Sequence, residues 1–162
     1  MRGIVILLAT LGFSIVTALA VRTLLMPAEL NGVTLLSIGI ADLKLQYTVN
    51  TGVNFGLAGA DTGSRQFLLA ALALAVCAAV ILWAIKSGRT LHAAIAGLFA
   101  GGGLANAYER VAYGGVFDYL NVPLSFYDNP YSFNLADVYI FAGALLFIFR
   151  PNQNASEEGA NT

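Results

Sequence analysis

The sequence Asn106-Ala107-Tyr108-Glu109-Arg110, Gly114-Gly115-Val116-Phe117-Asp118 and Phe133-Asn134-Leu135-Ala136-Asp137 fixes how the rest of the chain is read. Asp137 opens a run, Val138 to Phe149, that carries no charge. A carboxylate on the edge of such a run loses part of its water. An ionisable group at membrane depth is costly and marks a candidate functional site. Asp118 follows the preceding apolar run in the same way. The question is whether the two carboxylates meet.

The composition around this stretch is that of a membrane protein. Of 162 residues, 58% are hydrophobic and only 10% charged, against about 25% charged in a soluble domain. The length suits one domain. A net charge of −1 argues against a nucleic-acid partner. One cysteine, Cys77, and one histidine, His92, supply neither an intramolecular disulfide nor a Cys/His metal cluster. We therefore expect no metal held by a Cys/His cluster.

Working outward, four apolar runs are long enough to cross a bilayer. They are residues 3–21, 66–85 and 90–108, and residues 133–149, whose one charge is Asp137 in the first turn. About 20 apolar residues at ~1.5 Å each cover one hydrocarbon thickness. Arg2, the first run and Ala18-Leu19-Ala20 also fit a cleavable leader with small residues at its end. Gly97 and Gly101, spaced as Gly-x-x-x-Gly, allow close helix approach and are read as packing.

The segment 32–58 differs. Leu43-Lys44-Leu45-Gln46-Tyr47-Thr48-Val49-Asn50 alternates apolar and polar residues, the period of a half-buried strand. An open strand edge cannot lie in lipid, so this segment belongs at the membrane surface. Tyr119 to Ser132, with Pro123, Pro130 and several aromatics, reads as an interfacial loop. Residues 151–162 are polar and expected to be disordered. The predicted architecture is a membrane all-α fold: one domain, residues 1–150, with four transmembrane helices and a small extracytoplasmic β-sheet between helices 1 and 2.

Four spans place both termini on one side, and Asp118 and Asp137 together on the other. Lys and Arg divide equally between the sides, so charge does not set orientation; the short basic turn Lys86-Ser87-Gly88-Arg89 favours a cytoplasmic position. If the carboxylates meet, they cannot both ionise cheaply and titrate as a unit. An aspartic peptidase uses such a pair: one carboxylate takes a proton from water while the other, protonated, polarises the scissile carbonyl. Spacing alone leaves the alternatives open. Asp118 can be a solvated loop residue and Asp137 a helix cap. Asn106 and Asn134 can be interhelical hydrogen-bond partners. Arg110 can snorkel or pair with Glu109. Paired acids also serve ion pathways, so a small ion-coupled transporter competes with the peptidase.

Three blocks in order resemble the lipoprotein signal peptidase (signal peptidase II) family. They are Asn50-Thr51-Gly52-Val53-Asn54-Phe55-Gly56, then Asn106-x-x-Glu109-Arg110-x-x-x-Gly114-x-Val116-x-Asp118, then Phe133-Asn134-x-Ala136-Asp137. The resemblance implies an aspartic endopeptidase of the bacterial inner membrane that removes the signal peptide just before a diacylglyceryl-modified cysteine. It implies a catalytic pair at Asp118 and Asp137 and no metal or organic cofactor. It implies substrate-binding or dyad-positioning roles at Asn50, Gly52, Asn106, Arg110, Asn134 and Ala136. The partners would be a diacylglyceryl-prolipoprotein and membrane lipid, the chain a monomer, both termini cytoplasmic and the active site near the periplasmic face. The strand segment would help to hold the lipidated substrate, and the leader reading of the first run falls away.

The chain departs from the pattern at three places. Glu109 stands where the family usually has Asp. The first span lacks the usual Asp and Lys, with Arg22 a candidate replacement for the Lys. Asn54 replaces a small residue. These departures leave a non-catalytic lipoprotein-binding homologue as a further alternative.

Overall fold

The computed structural model describes residues 1–52 and 62–150. Asn54, Phe55 and Gly56 of the first block and the tail 151–162 lie outside the described residues. The protein is mostly helical with a small antiparallel sheet. The four helices are α1 (Arg2–Leu25), α2 (Thr62–Ser87), α3 (Thr90–Tyr113) and α4 (Leu135–Ile148).

Two of them, α1 and residues 63–87 of α2, are long and apolar enough to cross a membrane, with mean hydropathies of 2.6 and 2.8. Large apolar side chains face outward along both: Val5, Leu8 and Phe13 on α1, Phe67, Leu72 and Leu82 on α2. An apolar exterior of this extent matches a helix surrounded by lipid. Backbone-bonded hydroxyls keep α1 dry; Thr10 Oγ1 donates to the Ile6 carbonyl at 2.8 Å and Ser14 Oγ to that of Thr10 at 2.8 Å.

α3 is the central helix and packs against the other three. Its glycines explain how. A methyl group on Gly101 would sit 2.6 Å from Ser14 Cβ and 2.9 Å from the Leu11 carbonyl oxygen of α1. Gly102 faces the Ala136 carbonyl of α4, and Gly103 faces Cys77 Sγ of α2. Each small position admits a different neighbour, which is how backbones approach without a hydrophobic drive between helices. α3 runs on to Tyr113, past Glu109 and Arg110, and ends at Gly114, whose φ of +74° makes a left-handed cap.

The sheet is larger in origin than the alternating segment suggested. Its order is β1-β2-β3-β4, all antiparallel: β1 (Thr34–Ser37), β2 (Asp42–Asn50), β3 (Val116–Asn121) and β4 (Ser132–Phe133). It is therefore not confined to the chain between α1 and α2. The segment between α3 and α4, read as an interfacial loop from Tyr119, contributes half of its strands. β2 pairs with β3 through Thr48 with Asp118 and Asn50 with Val116. The partner backbone of β2, not any local signal, makes β3 a strand. The Tyr47 hydroxyl donates to the Leu25 carbonyl and fastens the sheet to the end of α1. β1 leaves Leu35 and Leu36 exposed, and the turn that follows it leaves Ile38 and Ile40 exposed.

Candidate active site

β3 carries Asp118 into the interior. Only 3% of the residue is exposed, so it is not a solvated loop residue. β4 then pairs Phe133 with Leu120, which delivers the next residue, Asn134, beside Asp118. Asn134 is the N-cap of α4 and forms a reciprocal capping box with Asp137. Its Oδ1 accepts the Asp137 N–H at 3.0 Å, and its own N–H donates to Asp137 Oδ2 at 3.1 Å. Asp137 does cap the fourth helix, as its position allowed, and its carboxylate does more than that.

The two aspartates belong to one network centred on Asn134. Asn134 Nδ2 donates to Asp118 Oδ1 at 2.9 Å and to Asn106 Oδ1 at 3.1 Å. Asn106 Nδ2, from α3, donates to Asp137 Oδ1 at 2.8 Å. Asn50 Nδ2, from β2, donates to Asp118 Oδ2 at 2.9 Å. Each carboxylate oxygen thus accepts one bond from a fixed amide and keeps a second lone pair for water or a proton. The asparagines are both interhelical partners and ligands of the acids.

Burial is the largest influence on Asp118 and pushes its carboxyl up to about 6 from the usual 3.8. The Asn50 and Asn134 hydrogen bonds oppose that rise, while the charges of Asp137 and Glu109 add to it. Asp118 therefore keeps its proton more readily than an ordinary carboxylate. Its neighbour on β3, Tyr119, is raised to about 12, chiefly by burial. The Tyr119 hydroxyl accepts the Leu135 N–H at 3.1 Å and fixes the first turn of α4.

The remaining sequence candidates fall into two groups. Gly52 and Arg110 border the acids. Gly52 donates its N–H to Asn50 Oδ1 at 2.9 Å. Its φ of +86° requires glycine, and an added Cβ would meet Leu69 at 2.6 Å. Arg110 lies within electrostatic reach of both aspartates, and its Nη1 donates to Gln66 Oε1 at 3.0 Å rather than pairing with Glu109. Ala136 stands apart from the polar network. It is buried against Ala18 and Ala105 in the contact of α1, α3 and α4; its small size admits α3, since Gly102 abuts its carbonyl.

Two further residues, Gln66 and Tyr119, gave no sequence signal. Gln66 looked like the polar edge of an apolar run, yet it is 1% exposed and ties Thr51 to Arg110, donating from Nε2 to the Thr51 carbonyl at 2.7 Å. Tyr119 sat in an apparent aromatic loop. The partner of Arg22 was not legible: it is Glu109, with Arg22 Nε 3.0 Å from Glu109 Oε2.

Comparison with known proteins agrees with this architecture. The family model described as signal peptidase (SPase) II matches residues 6–151. A lipoprotein signal peptidase of Methylocella silvestris is 38% identical over 120 residues, which cover 74% of this chain and 68% of the relative. One from Ectopseudomonas mendocina is 33% identical over 124 residues, covering 74% and 72%. One from Methylorubrum extorquens is 39% identical over 99 residues, covering 59% of this chain and 56% of that protein. Two bacterial membrane enzymes solved by the in meso method share the fold. The first has a TM-score of 0.65 at 18% identity, covering 96% of this chain and 90% of the other; the second has 0.61 at 21%, covering 93% and 94%. The chain belongs to the signal peptidase II family and is, with it, a peptidase of the membrane.

Proposed function

We propose that Asp118 and Asp137 are the catalytic dyad of an endopeptidase that removes signal peptides from diacylglyceryl-modified prolipoproteins. The observation that carries this reading is Asn134, whose side chain and backbone bond both acids at once. In the working form the pair holds one proton. Asp118, raised by burial, carries it. Asp137, held at the N-terminus of α4 by the Asn134 N–H and the Asn106 side-chain amide, is the partner that acts as base.

The chemistry then balances on this chain's own groups. Asp137 takes a proton from water, and the water oxygen attacks the scissile carbonyl carbon. Asp118 gives its proton to the carbonyl oxygen. As the tetrahedral intermediate collapses, the C–N bond breaks, Asp137 gives its proton to the leaving amine, and Asp118 takes a proton back from a hydroxyl of the intermediate, which restores the one-proton pair. The products are a signal peptide with a new carboxylate and a lipoprotein with a free amino group on its acylated cysteine. Asn50 and Asn106 hold the acids at fixed orientation, so little reorganisation is needed at the moment of reaction. Arg110 and Gly52, at the border of the acids, receive the substrate backbone.

The same reading extends to the membrane. α3 and α4 cross beside α1 and α2 as third and fourth spans, with both termini in the cytoplasm. The sheet and the dyad sit at the periplasmic face of the inner membrane, and the exposed apolar side chains of β1 rest on lipid. One copy suffices, because both acids and all three asparagines come from one chain.

A synthetic peptide carrying a diacylglyceryl cysteine tests the assignment. Purified protein should cut it at the bond preceding that cysteine and leave the unacylated peptide intact. Equal cleavage of both peptides, or binding of the acylated peptide without product, overturns the substrate assignment.

A further inference from the structure

The buried Arg22–Glu109 pair lies outside the dyad but reaches it through one backbone amide. Arg22 comes from α1 and Glu109 from α3, and their side chains are only 10% and 5% exposed. Glu109 Oε2, already 3.0 Å from Arg22 Nε, also accepts the Phe117 N–H at 2.9 Å. Phe117 immediately precedes Asp118. β4 covers β3 at Leu120 and Asn121, so among the described residues the half of β3 that bears Asp118 has no second strand beside it. A carboxylate on α3 takes the place of that strand.

Arg22 is itself held in place. Its guanidinium carbon lies 4.1 Å from the centre of the Tyr113 ring and 5.9 Å from that of Phe117, and Nη1 lies 3.1 Å from Met26 Sδ. One ion pair thus joins α1, α3 and the strand carrying Asp118. Breaking such a pair by removing one partner leaves an uncompensated buried charge, and here that charge would fall on the dyad.

We infer that Glu109 and Arg22 are positioning residues: Glu109 fixes the strand edge under Asp118 through the Phe117 amide, and Arg22, paired with Glu109, limits how strongly the Glu109 charge acts on the proton shared with Asp137. This inference rests on the peptidase reading. The groups that act on Asp118 are neutral Asn50 from β2, neutral Asn134 and Asp137 at the start of α4, and Glu109 and Arg110 from α3, with Arg22 of α1 behind Glu109. Arg22 and Glu109 are the opposed pair whose removal, one at a time, changes the local charge in opposite directions.

The test is the pH dependence of kcat/KM for the full-length protein in lipid, with the acylated peptide as substrate. Four forms are compared: wild type, Glu109→Gln, Arg22→Gln and the double variant. Glu109→Gln leaves Arg22 positive and unpaired, so the alkaline limb moves down by ~1 pH unit, the order expected for one charge within ~10 Å at an effective dielectric near 20. Arg22→Gln leaves Glu109 negative and unpaired, so the limb moves up by a similar amount. The double variant returns the limb to the wild-type position with kcat reduced. Glu109→Asp keeps the charge, so its limb stays in place while kcat falls, because the shorter side chain cannot span Arg22 and the Phe117 amide.

A purely structural pair would lower activity at every pH without moving the limb. Coincident limbs, or shifts of one sign in both single variants, overturn the inference. If Arg22→Gln does not fold, the comparison of Glu109→Gln with the double variant carries the sign. A wild type that cuts no acylated peptide removes the peptidase reading itself; a wild type that cuts, with limbs that coincide, removes only the positioning role.

Discussion

Replacing Asn134 by serine separates two roles that one side chain now fills. Asn134 caps α4 by accepting the Asp137 N–H at 3.0 Å, and it bonds Asp118 at 2.9 Å and Asn106 at 3.1 Å. Serine is an equally good cap, but its hydroxyl is too short to reach Asp118. The helix should therefore lose only a few tenths of a kcal/mol. The dyad loses a hydrogen bond that becomes charge-assisted as Asp118 gives up its proton, worth about 1.5–3 kcal/mol at that point. If that bond serves the transition state, kcat falls about 10- to 150-fold at ~1.36 kcal/mol per decade. Asn134→Ala should show the same catalytic loss plus about 1 kcal/mol of helix stability. Turnover of the acylated peptide and thermal unfolding in the same detergent measure the two effects. An Asn134→Ser protein within twofold of wild-type kcat, or Ser and Ala variants whose activity merely tracks their unfolding midpoints, would refute the bridging role.

Other outcomes follow from the same geometry. Asp118 titrates near 6 in the folded chain against 3.8 for an ordinary carboxyl. A raised carboxyl contributes stability that is fully present below the unfolded value and lost as pH rises through the folded one. The unfolding midpoint should therefore drop between about pH 4 and pH 7, and Asp118→Asn should flatten that slope; kcat/KM should likewise decline above about pH 6 as the shared proton leaves. Gln66→Ala frees the Thr51 carbonyl and Arg110 together, so it should cost about 1–3 kcal/mol and raise KM more than it lowers kcat, read from saturation curves. Gly101→Ala forces a methyl against Ser14 and Leu11 and should cost about 1–3 kcal/mol in unfolding with kcat retained. Gly102→Ala presses on the Ala136 carbonyl instead, so it should lower kcat as well.

The sequence carried the helices and the acids more clearly than the sheet. Uncharged runs reported helices because the residues between two charges were mostly apolar, and the Asn, Arg and Asp blocks lay at their ends. β3 was hidden because its partner, β2, lies far away in the chain: Thr48 pairs with Asp118 and Asn50 with Val116. Prolines and aromatics after Tyr119 gave the signal of a loop, and they do form one beyond Asn121, held by Asn121 Nδ2 donating to the carbonyls of Asn129 and Tyr131 at 2.8 and 2.9 Å. The Arg22–Glu109 pair joins helices that are not neighbours in sequence. Spacing could offer each residue a role but not its partner. Gln66 carried no pattern at all, since a polar residue at the start of an apolar run is ordinary at a membrane boundary. Ala136 shows the converse: the matching letter suggested substrate contact, and the packing of α3 against α4 explains the small side chain.

The most direct measurement is cleavage of the acylated peptide by Asp118→Asn and Asp137→Asn, each first shown to unfold cooperatively like the wild type. Both substitutions keep the shape of the side chain and remove the ability to share a proton. Each should lower kcat by roughly 1,000-fold or more, within the range for loss of a general acid or base together with the electrostatics of the site. Either variant turning over the peptide at close to the wild-type rate would contradict a dyad at Asp118 and Asp137.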